Sequence, residues 1–508
     1  MCKRTVVTIL FSVGLVTWTT TACRADVRLP TVFADDMVLQ RDMPIHVWGW
    51  ADPGEAVTVG LAGKTAEAKA DQHGAWDVTL PAAKAGGPVE ITIKGRNSLK
   101  LKNILVGDVW FCSGQSNMYW PVKNSANAQE EIAKADWPQI RLFEVAKDAA
   151  VKPRQDVYGL WRVCSPSTVG SFSAAAYYFA RHLHKELKVP IGLIHSSWAA
   201  SSAHPWTSAE GLAADPKVKT FAENVMKSTA TSLEKFAQEF DSKWAEWDKA
   251  AAEARSQGKQ PPARPEVSFK NEVRAVPSAL YNGMVAPLTQ MPIKGVIWYQ
   301  GENDAHRGMF YQAIFESLIR DWRKQWKQEK MPFLFVQLAN YQARQAEPSE
   351  SKWAELRAAQ AAATRLPATG MACIIDIGEA ENIHPSNKQD VGLRLALAAL
   401  RVAYDKDVVY SGPVLHQWQA KGNSAAMRFD HIGGGLMVRG EKLKGFAVAG
   451  PDKKFFWAEA TVKRDQVIVT SDKVSDIKAV RYAWADNPEC NLYNKEGLPA
   501  VPFKTDDW

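Results

Sequence analysis

The sequence predicts an α/β protein: a parallel sheet flanked by helices, with β-rich segments on either side. Two observations predict it. From about residue 106 to 410, apolar runs of strand length alternate with amphipathic runs of helix length, the pattern of a parallel sheet covered on both faces. Outside that stretch, short β-type runs separated by turn residues replace the alternation. A length of 508 residues suits about two to four domains rather than one.

Residues 1–25 read as a secretory signal. Lys3-Arg4 give a positive start, Val6 to Val16 an apolar stretch too short to span a bilayer, and Cys23-Arg24-Ala25 a cleavage site before Asp26. Cys23 raises lipidation as an alternative, but Thr20-Thr21-Ala22 lacks the aliphatic residue expected three places earlier. Cleavage near Ala25 and export to the periplasm or medium is the expectation. Residues 26–105 carry Ile45 to Trp50, Val57 to Val59 and Val89 to Ile93 between Asp52-Pro53-Gly54 and Asp71 to Gly74 turns, as in a β-sandwich.

In 106–410, strands are expected at Ile104 to Phe111, Ile191 to His195, Gly295 to Tyr299, Phe333 to Leu338 and Ala372 to Ile377. Helices are expected from Ala174, capped by Ser173, to Leu187, at Met309 to Trp326, at Trp353 to Ala363, and after the capping box that opens at Ser386. Residues 208–270, rich in Ala, Lys and Glu, read as a helical insertion: a solvated hairpin, with part of a lid over the site as the alternative. Residues 411–508 return to β, with strands at Leu443 to Ala449, Gln466 to Thr470 and, last, Val480 to Trp484.

Composition narrows the function. Charged residues make up 23% and hydrophobic ones 46%, as in ordinary globular proteins. The net charge is +7, of which Lys3, Arg4 and Arg24 of the leader supply three, leaving +4. That is too weak and scattered for a nucleic-acid partner, and no later segment is apolar enough to span a membrane. The mature cysteines Cys112, Cys164, Cys373 and Cys490 form no CxxC pair, so no metal site is expected. Four buried thiols is the preferred reading, with a Cys112–Cys164 disulfide conceivable.

The chemistry concentrates in three places. An apolar strand stops at Ser113-Gly114, and Ser116 follows in a turn, where a strand end, a glycine and nearby N–H groups suit a nucleophile. His384 sits in a loop opening at the carboxyl edge that also carries Ser116, the natural place for a general base. Glu381 can fold back to orient it, with Asp376 and Glu379 as competitors. Tyr299-Gln300-Gly301-Glu302-Asn303 is a strand end passing into a polar turn, where Asn303 can donate to an oxyanion.

The blocks Gly114-Gln115-Ser116-Asn117-Met118, Trp298-Tyr299-Gln300-Gly301-Glu302-Asn303-Asp304 and Ile383-His384-Pro385, in that order, resemble the sialate O-acetylesterase family of SGNH serine hydrolases. The similarity extends through Thr168 to Tyr178, Leu280 to Met284, Trp353 to Arg357 and Cys490 to Asn494. The resemblance implies an SGNH-hydrolase-like fold with Ser116 as nucleophile, His384 as base, and Ser116, Ala199 and Asn303 as oxyanion donors, without a metal or organic cofactor. Glu381 is the expected acid. Gln115, Trp198, Gln300, Glu302 and Trp298 are the expected substrate-binding residues, with Trp120 and Trp206 also candidates for the pocket wall.

Two positions depart from the family pattern. Trp198-Ala199-Ala200-Ser201 stands where Trp-Gly-Gly-Thr is usual, so an oxyanion contact from Ala199 needs a negative φ there, and Asn382 stands where Asp is frequent. The implied function is deacetylation of carbohydrates, either O-acetylated sialic acid or acetylated hemicellulose such as xylan. A catalytically inactive carbohydrate-binding protein on the same fold is the alternative. Arg307 and Arg344 are candidates to meet a sialic acid carboxylate.

Overall fold

The computed structural model describes residues 26–256, 262, 265 and 273–508. The expected signal segment, 1–25, and most of the end of the 208–270 insertion lie outside the described residues.

An 11-stranded sheet runs through the molecule. Its main path has seven strands: β1 Ser98–Gly114, β2 Trp137–Glu144, β3 Trp161–Cys164, β4 Ile191–Ser197, β5 Gly295–Tyr299, β6 Phe333–Val336 and β7 Thr369–Ala372. Their order is β7-β6-β5-β1-β4-β2-β3, and every pair is parallel except β2–β3. Val109, Phe111 and Trp298 feed one apolar cluster while Trp110, Cys112 and Tyr299 feed another, so both faces are covered, as a parallel sheet requires.

β1 is longer than the expected Ile104 to Phe111. Its 17 residues pair antiparallel with Gly86–Lys94 in the first part and parallel with β4 and β5 in the second. The expected boundary at 105/106 falls inside this strand. β7 ends at Ala372, earlier than the expected Ile377, because the chain turns at Ile374, whose carbonyl accepts from Ile377 N.

Helices α1 Ser116–Tyr119, α2 Ala174–Leu187, α3 Pro216–Ser256, α4 Phe310–Gln325, α5 Lys352–Ala362 and α6 Lys388–Tyr404 connect and cover these strands. Ser173 caps α2, its hydroxyl accepting from Ala176 N at 3.2 Å. For α6 the cap is Asn387, which accepts from Asp390 N at 3.1 Å; Ser386 instead donates its hydroxyl to Glu379 at 2.8 Å. Gly392 of α6 lies so near α2 that a Cβ there would sit 2.4 Å from Tyr178 Cβ. Among the described residues, the insertion is a short helix, Ala209–Ala213, followed by the 41-residue helix α3. α3 is not free in solvent: Phe236, Phe240 and Trp244 are buried, and Trp244 stacks on Tyr158 at 3.6 Å.

The C-terminal region forms two four-stranded sheets and a two-stranded one that pairs Leu436–Val438 with Leu492–Asn494. The strand expected from Leu443 starts at Phe446, because Gly445 turns at φ +95°. The Val480 strand is Ala479–Tyr482 and is not the last; Leu492–Asn494 and Phe503–Lys504 follow. Cys112, Cys164 and Cys373 are buried thiols, Cys490 is a half-buried one, and Cys112 and Cys164 are not bonded.

Arg357 of α5 pins the C-terminal region to the parallel sheet. It is completely buried without a carboxylate partner, and donates to the carbonyls of Leu338 (2.9 Å), Ala339 (2.8 Å), Ala485 (2.7 Å) and Asp486 (2.8 Å). Burial pushes its pKa down to about 10. Arg357→Met leaves the Leu338 and Ala485 carbonyls without a donor, while Ala339 O keeps Trp353 Nε1 and Asp486 O keeps Tyr341 N, and a loss of roughly 3 kcal/mol is expected from chemical denaturation. Unchanged stability would show that water replaces the guanidinium there.

Candidate active site

Three turns meet at the carboxyl ends of β1, β4 and β5. Gly114 ends β1 at φ +139°, a conformation that favours glycine, and a Cβ there would lie 2.1 Å from the Tyr299 carbonyl oxygen. Without that Cβ, Gln115 N donates to Tyr299 O at 3.0 Å, and Trp198 N donates to Gly114 O at 3.1 Å. Ser116 then opens α1, half-buried, with Gln115 Nε2 3.5 Å from its Oγ.

Gln115 braces the turn after β5. Its Oε1 accepts from Asn303 N at 3.2 Å and from Gly301 N at 3.5 Å. Asn303 is exposed at the rim, and its amide donates to Ser202 Oγ at 2.8 Å. An amide nitrogen carries two N–H bonds, so one stays available for an oxyanion. Among the described residues, the backbone N–H groups of Ser116 and Ala199 find no protein acceptor. The residue with positive φ is Ala200, at +54°, and Ala199 keeps a negative φ. The backbone condition for an oxyanion contact from Ala199 is therefore met.

His384 is brought beside Ser116 through their neighbours: Asn117 Nδ2 donates to Ile383 O at 3.0 Å. The imidazole is half-buried and stacks on Trp120, with ring centroids 4.8 Å apart and planes 15° from parallel. Burial, then the nearby Lys388 charge, lowers its pKa from the ordinary 6.5.

Among the described residues, no carboxylate reaches that ring. Glu381, expected to orient it, is exposed and makes no hydrogen bond to it. Glu379 accepts instead from Ser386 N (2.7 Å), Ser386 Oγ (2.8 Å) and Asn382 Nδ2 (3.1 Å), which holds its carboxyl below the usual range. Asp376 pairs with Arg394 at 2.6 Å. The loop is shaped by Asn382, whose side chain accepts from His384 N at 3.0 Å and donates to His384 O at 2.9 Å.

Most of the expected substrate-binding residues turn out to be internal. Trp298 and Trp206 are fully buried and meet edge-to-face at 6.3 Å, and Trp198 is 2% exposed. Gln300 is buried, donating to Ser201 O and Asp304 and accepting from Tyr311 OH at 2.9 Å. Gln115 is the brace described above, and Glu302 Oε1 accepts from Asn117 Nδ2. Their aromatic or polar character serves packing under the turns rather than a pocket wall. Trp120 is the tryptophan of that set left at the site. Arg307 is paired with Asp304 and Arg344 with Glu489 at 3.5 Å. The cations that sequence reasoning missed are Lys147, 4.2 Å over the Tyr119 ring, and Arg274, donating to Ala199 O at 3.1 Å. Neither lies in a motif block, so no local signal marked them.

Residues 267–401 match the family model for a carbohydrate esterase, sialic acid-specific acetylesterase. The sialate O-acetylesterase of Rattus norvegicus is 30% identical over 92% of this chain and 92% of its own length. The Homo sapiens sialate O-acetylesterase is 28% identical over 96% of this chain and 94% of its own. The chain belongs to the sialate O-acetylesterase family.

The fold agrees. A crystal structure of a carbohydrate acetylesterase from Xanthomonas citri, 39% identical, superposes with a TM-score of 0.82 over 95% of this chain and all of that one. As a member of the sialate O-acetylesterase family, the protein is a carboxylic ester hydrolase acting on carbohydrates. The matched segment contains the Asn303 and His384 turns, and Ser116 precedes it.

A base must be neutral to take a proton, and His384 is held below 6.5. The acid limb of kcat/KM against pH is therefore expected to have its midpoint below 6.5. A midpoint above that value would mean that a carboxylate reaches the ring when substrate is absent.

Proposed function

We propose that the enzyme removes O-acetyl groups from carbohydrates through an acyl-enzyme on Ser116. His384 takes the Ser116 proton as Oγ attacks the acetyl carbonyl, and the oxyanion is met by the N–H groups of Ser116 and Ala199 and the free N–H of Asn303. His384 then returns the proton to the departing sugar oxygen. Water, deprotonated by the same imidazole, releases acetate.

The observation that carries this reading is the convergence at one sheet edge. Asn117 links the Ser116 turn to the His384 loop, and Gln115 links it to the Asn303 turn. Asn382 and Trp120 take over the orientation assigned to Glu381, one by holding the loop backbone and the other by stacking on the ring. The acetylated sugar is either O-acetyl sialic acid or an acetylated hemicellulose such as xylan. Lys147 and Arg274 favour the first, because a sialic acid carboxylate gains from a cation within reach. The N-terminal 25 residues support export, which would put the enzyme where such glycans occur.

The test is acetate release from O-acetylated sialic acid and acetylated xylan, side by side, by the mature chain and by Ser116→Ala. Release is expected to vanish in the variant, and the preferred substrate separates the two sugar classes. Asn303→Ala should lower kcat on the order of 100-fold, the loss of one oxyanion donor worth roughly 3 kcal/mol. Near-native turnover in that variant would remove Asn303 from the oxyanion site. No release from either glycan or from an aryl acetate would instead point to a carbohydrate-binding protein.

A further inference from the structure

Behind the Ser116 turn, three polar side chains from three elements close on one another. Asn117 follows Ser116 on α1, Glu302 lies in the turn after β5, and Lys388 is the first residue of α6, four after His384. Asn117 Oδ1 accepts from Lys388 Nζ at 2.6 Å, while Asn117 Nδ2 donates both to Glu302 Oε1 and to the Ile383 carbonyl at 3.0 Å. Lys388 is completely buried, its Nζ 5.1 Å from the Tyr299 ring centroid. Glu302 Oε2 is buried with no partner.

A lysine and a glutamate are costly to bury, and neither makes a direct ion pair with the other here. Both converge on the residue next to the nucleophile. Rotating Asn117 would break three bonds at once, so its amide fixes the spacing between the Ser116 turn, the Asn303 turn and the His384 loop. That spacing is separate from the orientation of the imidazole, which Asn382 and Trp120 supply.

We propose that Lys388 and Glu302 are positioning residues for Ser116 and His384, acting through Asn117; this rests on the serine-esterase reading above. Lys388 faces Asn117, Glu302, the Tyr299 ring and, further off, Glu379, while His384 faces Trp120 and Lys388. Burial pushes the Lys388 pKa down to about 7, with the two glutamates opposing that shift. Its remaining charge disfavours imidazolium on His384. Burial also raises the Glu302 pKa, with the Asn117 hydrogen bond and the Lys388 charge opposing that shift.

Steady-state kinetics on 4-nitrophenyl acetate, measured across pH with thermal unfolding alongside, provides the test. Lys388→Met is expected to lower kcat about 10- to 100-fold with KM within about threefold, the pattern of a misplaced reacting pair. It should also move the acid limb upward by about half a pH unit, because a cation beside the imidazole is gone. Glu302→Gln keeps the acceptor for Asn117 and should stay within about threefold of wild type, whereas Glu302→Ala should fall about tenfold or more. A folded Lys388→Met with native kcat and native acid limb would overturn the proposal. Where Lys388→Met does not fold, the Glu302 pair decides, and equal effects of Gln and Ala overturn it. Ser116→Ala run in parallel separates the two levels: residual turnover there sinks the esterase reading itself.

Discussion

The close approach of β1 and β5 at their carboxyl ends is the constraint on which the rest of the site depends. Gly114 permits it, since any side chain there would collide with the Tyr299 carbonyl. The backbone then binds β5 through Gln115 N and β4 through Gly114 O. Three turns that are far apart in sequence are thereby held to one point. Gln115 can brace the Asn303 turn because its backbone already rests on Tyr299, and Asn117 can reach Glu302 and Ile383 for the same reason. The strand that carries this glycine is the one shared by both parts of the sheet, so Ser116, the proposed nucleophile, directly follows a strand paired on both sides.

What could be read from the sequence was what is encoded locally. The Ser173 cap, the α2 and α4 helices and the β5 strand follow from spacing over a few residues, and so does the abrupt end of β1 at a glycine. Ser116, Asn303 and His384 could be singled out because each follows a strand end in a polar turn. Register and burial were another matter. Trp198, Trp206 and Trp298 neighbour the motif blocks in sequence, but their rings are buried: Trp298 packs with Trp206, Phe315 and Trp322, and Trp198 meets Phe236 of α3. Proximity along the chain says nothing about which face a ring occupies.

The acids show the same limit more sharply. Asp376 lies near His384 in sequence, yet its partners are Arg394 and Tyr493, the latter more than a hundred positions away, with Tyr493 OH donating at 3.3 Å. Asp304 is engaged by Arg307, Gln300 and Ala203 N. Asp108 is held by Arg41 and by Tyr404 OH at 2.9 Å. A buried carboxylate must find donors, and these donors come from other elements. Glu381 has no such neighbours and stays in solvent. Little in the tetrapeptide Glu381 to His384 distinguishes an acid that turns inward from one that turns out, because Asp376 and Glu379 are claimed by Arg394 and Ser386, which lie outside it.

An imidazole without a carboxylate is a different base from one that has it. A carboxylate raises the basicity of the ring and fixes its tautomer through Nδ1, whereas stacking on Trp120 fixes the ring plane and leaves both nitrogens uncommitted. Burial and Lys388 both act against the charged form, so His384 is neutral over a wider range of pH but accepts a proton less readily. The balance then shifts to the oxyanion side. In the proposed mechanism, a weaker base leaves more of the barrier to donors already aimed at the developing charge, and among the described residues the Ser116 and Ala199 N–H groups find no protein acceptor. That places the demand on backbone geometry at Ala199 and Ala200, where Ala200 takes φ +54° with no glycine in that turn.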